Sequence, residues 1–284
     1  MKANPQIQNS VNMSYKKAPT RTITAGSVEF AYRELGQKTG VPVVLLTHLA
    51  ANLDNWDPRV VDGIAAKRWV ITFDNRGVGA SSGSMPDTIQ AMAKDAVTFI
   101  RALGLEQIDI LAFSMGGMIA QVIAQEEPLL VRKLILASTG PAGEAGTALS
   151  NRDILRGILT FQDPKTFLFF TRTPVGKQAA KQFLARLKER TEYRDKAFSL
   201  SAMGAQRTAI HRWGLEQPSD LSVIRQPVLA ACGESDRMVP TKNTVDLARR
   251  LPDSELVMYP DAGHGAIFQY HQEFVGKALE FLER

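Results

Sequence analysis

Short apolar runs rich in Val, Ile and Leu recur along the chain. Residues 41–47, 69–73, 108–113, 131–137, 227–232 and 255–259 read as strands, most of them without polar alternation and so predicted to be buried on both faces. Residues 21–34 read as two further strands around the turn Ala25-Gly26-Ser27. Between the runs the period changes. Ile89, Met92, Ala93, Ala96, Val97 and Ile100 fall at helical spacing within 88–103, residues 115–125 are apolar nearly all round, and 243–251 and 272–282 are amphipathic. Strands that alternate with helices predict an α/β fold, with a mostly parallel eight-stranded sheet flanked by helices. The rhythm breaks over 140–217, which has no strand pattern, a helical stretch at 177–190 and aromatics at Phe161, Phe167, Phe169 and Phe170. This region is predicted to be a helical lid inserted in the core, over the carboxyl edge of the sheet where such folds bind ligands. The core then comprises 21–139 and 218–284, and the polar stretch 1–20 is expected to be a flexible N-terminal segment.

Composition narrows the class only a little. With 44% hydrophobic and 22% charged residues among 284, a sizeable core is possible and general disorder is not expected. The net charge of +5 is unevenly placed: from Arg152 to Arg212 there are 13 Lys/Arg against 5 Asp/Glu. A solvated helical surface accounts for that surplus first, and attraction of an anionic substrate or acidic partner second. No nucleic-acid partner is expected. The first twenty residues lack the apolar stretch of a secretory signal, and no run approaches a membrane span. With the lone Cys232 excluding an internal disulfide, the expectation is a soluble cytoplasmic protein.

Candidate chemistry begins at Leu111-Ala-Phe-Ser114-Met-Gly-Gly, where a predicted strand runs directly into a predicted helix. Small residues two before the serine (Ala112) and two after it (Gly116) allow a sharp turn that leaves the hydroxyl at its tip. The helix start offers unpaired N–H groups to a developing negative charge. A helix-capping serine would look similar, so the assignment depends on a base and an acid. His264 follows the last predicted strand in a Gly-flanked turn, and Asp236 follows the one before. A serine hydroxyl needs a histidine to take its proton, and an aspartate on the other ring nitrogen fixes the tautomer. Glu234 and Asp261 compete with Asp236 for the acid role, and Asp261 lies close in sequence to His264. His211 and His271 are expected at the surface or in a pocket wall, and no histidine pair has metal-ligand spacing, so neither metal nor cofactor is expected.

These residues, in the order Ser, Asp, His, resemble the α/β-hydrolase superfamily, in particular its small single-chain serine esterases and lactonases, cofactor-free haloperoxidases (perhydrolases) and carbon–carbon bond hydrolases. The resemblance covers about 21–282. It includes Phe73-Asp-Asn-Arg-Gly-Val-Gly-Ala-Ser81, similar to the family's D-x-R-G-x-G-x-S turn. Those glycines lack the spacing of a dinucleotide loop. The family's third strand ends in His-Gly-x, with a Trp some residues later. Aligning on Trp56 places Thr47 and His48 at the His-Gly pair, so the resemblance implies oxyanion N–H donors at Leu49 and Met115. His48 and Trp56 are pocket candidates by the same alignment. Serine as nucleophile argues against the relatives that open epoxides or displace halide with Asp. Three functions are weighed: hydrolysis of a small ester, thioester or lactone with an apolar moiety; perhydrolysis or carbon–carbon cleavage at the same site; and a ligand receptor or regulator on a hydrolase fold.

Overall fold

The computed structural model describes residues 13–143 and 163–284. Most of the polar N-terminal stretch (1–12) and part of the predicted lid (144–162, including Phe161, Arg152 and Arg156) lie outside the described residues. The strands are β1 (Arg21–Ala25), β2 (Val28–Leu35), β3 (Val43–Leu46), β4 (Val70–Phe73), β5 (Ile108–Phe113), β6 (Val131–Ala137), β7 (Val228–Gly233) and β8 (Ser254–Tyr259). They form one eight-stranded sheet in the order β1-β2-β4-β3-β5-β6-β7-β8. β1 and β2 pair antiparallel with each other, as do β2 and β4, and every later pairing is parallel.

The central apolar runs are strands because both of their faces are covered, while β8 at the sheet edge exposes Leu256 and Met258. Val44, Leu46, Ile110 and Ala112 face one buried cluster, and Val43, Leu45, Leu111 and Phe113 face the other. This is the alternation of a pleated strand, with helices over each side. The first cluster is closed by α2 (Ile89–Ala102), α3 (Met115–Glu126) and α7 (Thr241–Arg250), and the second by α1 (Pro58–Ala65), α8 (Ala266–Gln269) and α9 (His271–Glu283). Helix starts are capped where the sequence supplies an oxygen: the Thr88 hydroxyl accepts from Ala91 N–H at 3.3 Å and the Asp57 carboxylate from Arg59 N–H at 2.9 Å.

The described part of the predicted lid contains α4 (Lys165–Leu168), α5 (Pro174–Leu187) and α6 (Leu200–Leu215) and no strand. Most of its described cations stay at the surface, and a few of its charged side chains tie it to the rest of the chain. Arg186 clamps the fully buried Asp57, Arg59 and Lys16 pair with Glu189, and Arg212 pairs with Asp87. Arg190 donates to the carbonyls of Tyr15 and Ala18. Flexibility expected up to residue 20 does not hold for the described end of that segment. Residues Tyr15–Lys17 form a 3-10 turn, and the Tyr15 ring is buried with its hydroxyl donating to Leu53 O at 2.7 Å. A single aromatic side chain with a paired hydroxyl anchors a stretch whose average polarity pointed the other way.

Candidate active site

β5 enters α3 through Ser114, whose backbone lies at φ 58° and ψ −119°. A side chain in the left-handed region is strained, and the surrounding contacts hold it there. Ser114 N–H donates to Ala137 O at 2.9 Å. A Cβ on Gly116 would stand 2.2 Å from Leu46 O, and one on Gly117 would stand 2.5 Å from the Thr139 side chain. Both positions therefore require glycine for close approach of α3 to β3 and to the chain after β6.

The three predicted side chains meet. His264 Nε2 lies 2.9 Å from Ser114 Oγ, and His264 Nδ1 lies 2.8 Å from Asp236 Oδ2. The other carboxylate oxygen of Asp236 accepts from Met238 and Val239 N–H at 2.9 and 3.1 Å. A carboxylate so held accepts a hydrogen bond from Nδ1–H and keeps the proton on that nitrogen, which leaves Nε2 as the acceptor for the serine hydroxyl. The ring of His264 is fully buried against Phe113 and Phe169. The glycines around it have a specific cause. A Cβ on Gly263 would lie 2.8 Å from Phe169 O, and Gly265 N–H donates to that same carbonyl at 2.7 Å. The competing acids are placed elsewhere: Glu234 is exposed, and Asp261 accepts from the Thr171 and Thr173 hydroxyls.

Ser114 and His264 open on a cavity of about 270 Å³, shared with Leu168, Phe169, Met203 and Met238. Lys165, Arg207 and Asp163 also line it. Leu49 borders the cavity, and Met115 is the first residue of α3. Among the described residues no acceptor is recorded for the N–H of either. For Met115 that follows from its place at a helix start.

His48 lines the same cavity. Its Nδ1 donates to Leu49 O at 2.7 Å, which makes Nε2 the unprotonated nitrogen. Burial, reinforced by the positive charge of Lys165, pushes its pKa down to about 3, so the ring is neutral under ordinary conditions. Trp56, the other pocket candidate, is not at the cavity. It is 2% exposed in the second core cluster, edge-on to Phe268. Its place in the motif is explained by packing of the loop after β3.

The turn after β4 braces that loop. Asp74 accepts from Leu53 N–H at 2.8 Å and from Ala80 N–H at 3.3 Å, and the Ser81 hydroxyl donates to Asp74 O at 2.8 Å. Asp195 reaches in from the inserted segment. Oδ2 of each carboxyl would lie 2.3 Å from a Cβ at Gly79, so both approach the space that glycine leaves. Burial and the neighbouring Asp195 hold the Asp74 carboxyl well above the usual range. Sequence reasoning passed over Gln206, which is fully buried on α6 and accepts from Ala50 N–H at 2.8 Å. No local motif marks a glutamine whose oxygen accepts from a backbone group 156 residues away. Among the described residues, no group of three or more His, Cys, Asp or Glu is placed to hold a metal ion.

A family model described as the alpha/beta hydrolase fold matches residues 41–269. An alpha/beta hydrolase fold protein from Chitinophaga pinensis superposes with a TM-score of 0.91 at 39% identity, covering 95% of this chain and 99% of that one. A 2-hydroxy-6-oxo-6-(2'-aminophenyl)hexa-2,4-dienoic acid hydrolase from Metapseudomonas resinovorans is 26% identical over 274 residues, 93% of this chain and 91% of its own. The enol-lactonase from Burkholderia xenovorans LB400 shares the fold with a TM-score of 0.73 at 18% identity, covering 93% of this chain and 100% of that one. With the sheet order, the serine turn and a match over most of its length, the chain belongs to the α/β-hydrolase family.

Proposed function

We propose that this protein is a serine hydrolase that cleaves a small carboxylic ester, thioester or lactone through an acyl-enzyme intermediate. One observation carries the reading: the continuous hydrogen-bond chain Asp236–His264–Ser114, at 2.8 and 2.9 Å, ends at a largely apolar cavity. Ser114 Oγ attacks the substrate carbonyl while its proton passes to His264 Nε2. The oxygen that becomes negative is met by the N–H groups of Met115 and Leu49, each such donor contributing roughly 3 kcal/mol in the transition state. The resulting imidazolium is stabilised by Asp236 and returns its proton to the leaving oxygen or sulfur. Water, deprotonated by the same ring, then releases the acid and restores Ser114. Leu168, Phe169, Met203 and Met238 favour an apolar acyl or leaving group.

The deciding experiment is a panel of p-nitrophenyl esters of rising chain length and simple lactones, assayed with wild type and Ser114→Ala. The substitution is expected to lower kcat by at least about 10⁴-fold with an unchanged thermal midpoint. Ester turnover that survives it would sink the proposal. The relative named as a hexadienoic acid hydrolase supports carbon–carbon cleavage as the second reading. Turnover of a ring-cleavage diketone with no activity on any ester would decide for it.

A further inference from the structure

The loop after β3 carries one peptide unit that is held at both ends. Leu49 C=O accepts from His48 Nδ1 at 2.7 Å, and the N–H of the same peptide, that of Ala50, donates to Gln206 Oε1 at 2.8 Å. This clamp acts on a strained backbone. Ala50 sits at φ 56°, in the left-handed region that a residue with a Cβ resists. The acceptor comes from the inserted segment: Gln206 is on α6, fully buried beside Ala202, Ala209 and Ile210 on the packed face of that helix. Its amide nitrogen faces Met85 Sδ at 3.7 Å, so the oxygen is the end turned to Ala50. A leucine or methionine would fill the same volume. What glutamine adds is an acceptor for one backbone N–H. The same loop has a second tie to the insertion, from Asn52 Nδ2 to Lys196 O at 2.8 Å.

We propose that Gln206 is a positioning residue that makes the oxyanion site conditional on the docking of α6. This inference rests on the reading of Ser114 as nucleophile and Leu49 N–H as oxyanion donor. With α6 seated, Gln206 holds Ala50 in its left-handed conformation, which fixes the Leu49–Ala50 peptide and keeps the adjoining Leu49 N–H beside Ser114. Without that bond Ala50 relaxes, the peptide rotates and the Leu49 donor is misplaced. His48 alone does not prevent this, because its bond to Leu49 O spans neighbouring residues of the same loop. The insertion therefore does more than cover the cavity: it completes the charge-stabilising half of the site, and Gln206 acts on the transition state while making no contact with substrate.

The test uses Gln206→Met, which keeps the volume and removes the acceptor, together with Ala50→Gly and the double variant. Two readouts are taken: kcat and KM on a short p-nitrophenyl ester, and the rate of Ser114 labelling by a fluorophosphonate, followed by intact mass. In the labelling reaction the Ser114 Oγ–P bond forms, the P–F bond breaks, the serine proton passes to His264 and fluoride leaves, with the phosphoryl oxygen at the oxyanion position. Loss of a whole oxyanion donor lowers kcat roughly 10²–10³-fold. Gln206→Met, which only loosens one, is expected to lower kcat and the labelling rate by about tenfold or more. KM should stay within about twofold, as for an interaction made only in the transition state. Glycine adopts φ 56° without strain, so Ala50→Gly is expected to restore most of the rate in the double variant. Gln206→Asn, one methylene short of reach, should reproduce the loss and serves if the Met variant does not fold. Wild-type labelling with folded Gln206 variants equally fast, a rise in KM with kcat retained, or a double variant no faster than Gln206→Met would overturn the positioning role and leave the hydrolase reading standing. A wild type that neither labels nor turns over any ester would overturn the hydrolase reading, and this inference with it.

Discussion

Ser114 and Ala50 border the same cavity and hold nearly the same disfavoured backbone angle, φ 58° and 56°. Strain in a side-chain-bearing residue persists only where its neighbours over-determine it, and here it aims two stretches of backbone at one point. His48 adds a pH dependence at this scale. Its pKa is depressed from the ordinary 6.5 to about 3 by burial, so the unfolded chain binds the proton more readily than the folded one. The neutral ring contributes stability that is fully present above about pH 6.5 and is lost as pH falls toward about 3. Urea melts of wild type between pH 4 and 7 are expected to show stability falling below pH 6 by up to about 1.4 kcal/mol per pH unit from this group, and His48→Asn should remove that slope. An unchanged slope in the variant would assign the dependence to other groups. The meeting of Ser114, Asp236 and His264 could be read from the sequence because each follows a strand end, two of them in glycine-flanked turns. His48 was legible only as an open alternative. Trp56 was misplaced because an aligned tryptophan says where a loop packs and not which cavity it faces.

At the scale of elements, the inserted segment is bound to the core by ion pairs of both polarities, with Glu189 of the insertion meeting Arg59 and Lys16. Asp57 takes Arg186, Asp87 takes Arg212, and the Thr171 and Thr173 hydroxyls take Asp261. A charge count from Arg152 to Arg212 could register the surplus but not its direction, since pairing depends on what lies across the interface. The contact of Asp74 with Asp195 runs against this pattern. With the Asp74 carboxyl held above its ordinary 3.8 by burial and by Asp195, its contribution to stability is present below about pH 4 and is lost as pH rises through the elevated value. Asp195→Asn supplies an amide donor to Asp74 and removes the repulsion. It is expected to raise stability by about 1 kcal/mol at pH 7–8 and to flatten its decline with pH. A thermal midpoint at pH 8 equal to or below that of wild type would contradict a destabilising effect of Asp195 on Asp74. α6 left little trace in the chain because its buried face is written in Ala202, Gln206, Ala209, Ile210 and Trp213, where alanine and glutamine blur a helical apolar stripe.

Across the whole molecule, the sheet separates the edge that carries Ser114 from the edge that carries Asp109. β5 begins at the edge that carries Asp109 and ends at Ser114, five residues and about 17 Å away. Asp109 is fully buried and accepts from Arg68 and Arg132, which also donate to Leu282 O at the end of α9. Lys133 donates to Phe281 O at 2.9 Å. This network ties the last helix to the sheet and caps carbonyls that the helix itself leaves unpaired. Asp109→Ala leaves two guanidinium groups without their carboxylate and is expected to cost about 3–5 kcal/mol, read as a loss of roughly 10 °C in thermal midpoint. Under the proposed function, ester turnover at 25 °C should stay within about twofold of wild type, because Ser114 and His264 sit at the opposite edge. A large fall in kcat with little change in midpoint would show the two edges to be coupled.

The amino-acid order alone determined the alternation of strands and helices, the serine turn with its histidine and acid, and the presence of a strand-free insertion. Each of these is written locally, in hydrophobic period, in glycine where backbone approaches closely, and in residue type at strand ends. Tertiary structure decided the rest: that β4 lies between β2 and β3, that Tyr15 anchors the N-terminal stretch, that Arg186 meets the buried Asp57, and that Gln206 reaches Ala50. These depend on partners far apart in the chain, and a side chain gives no local sign of which distant backbone group it will satisfy.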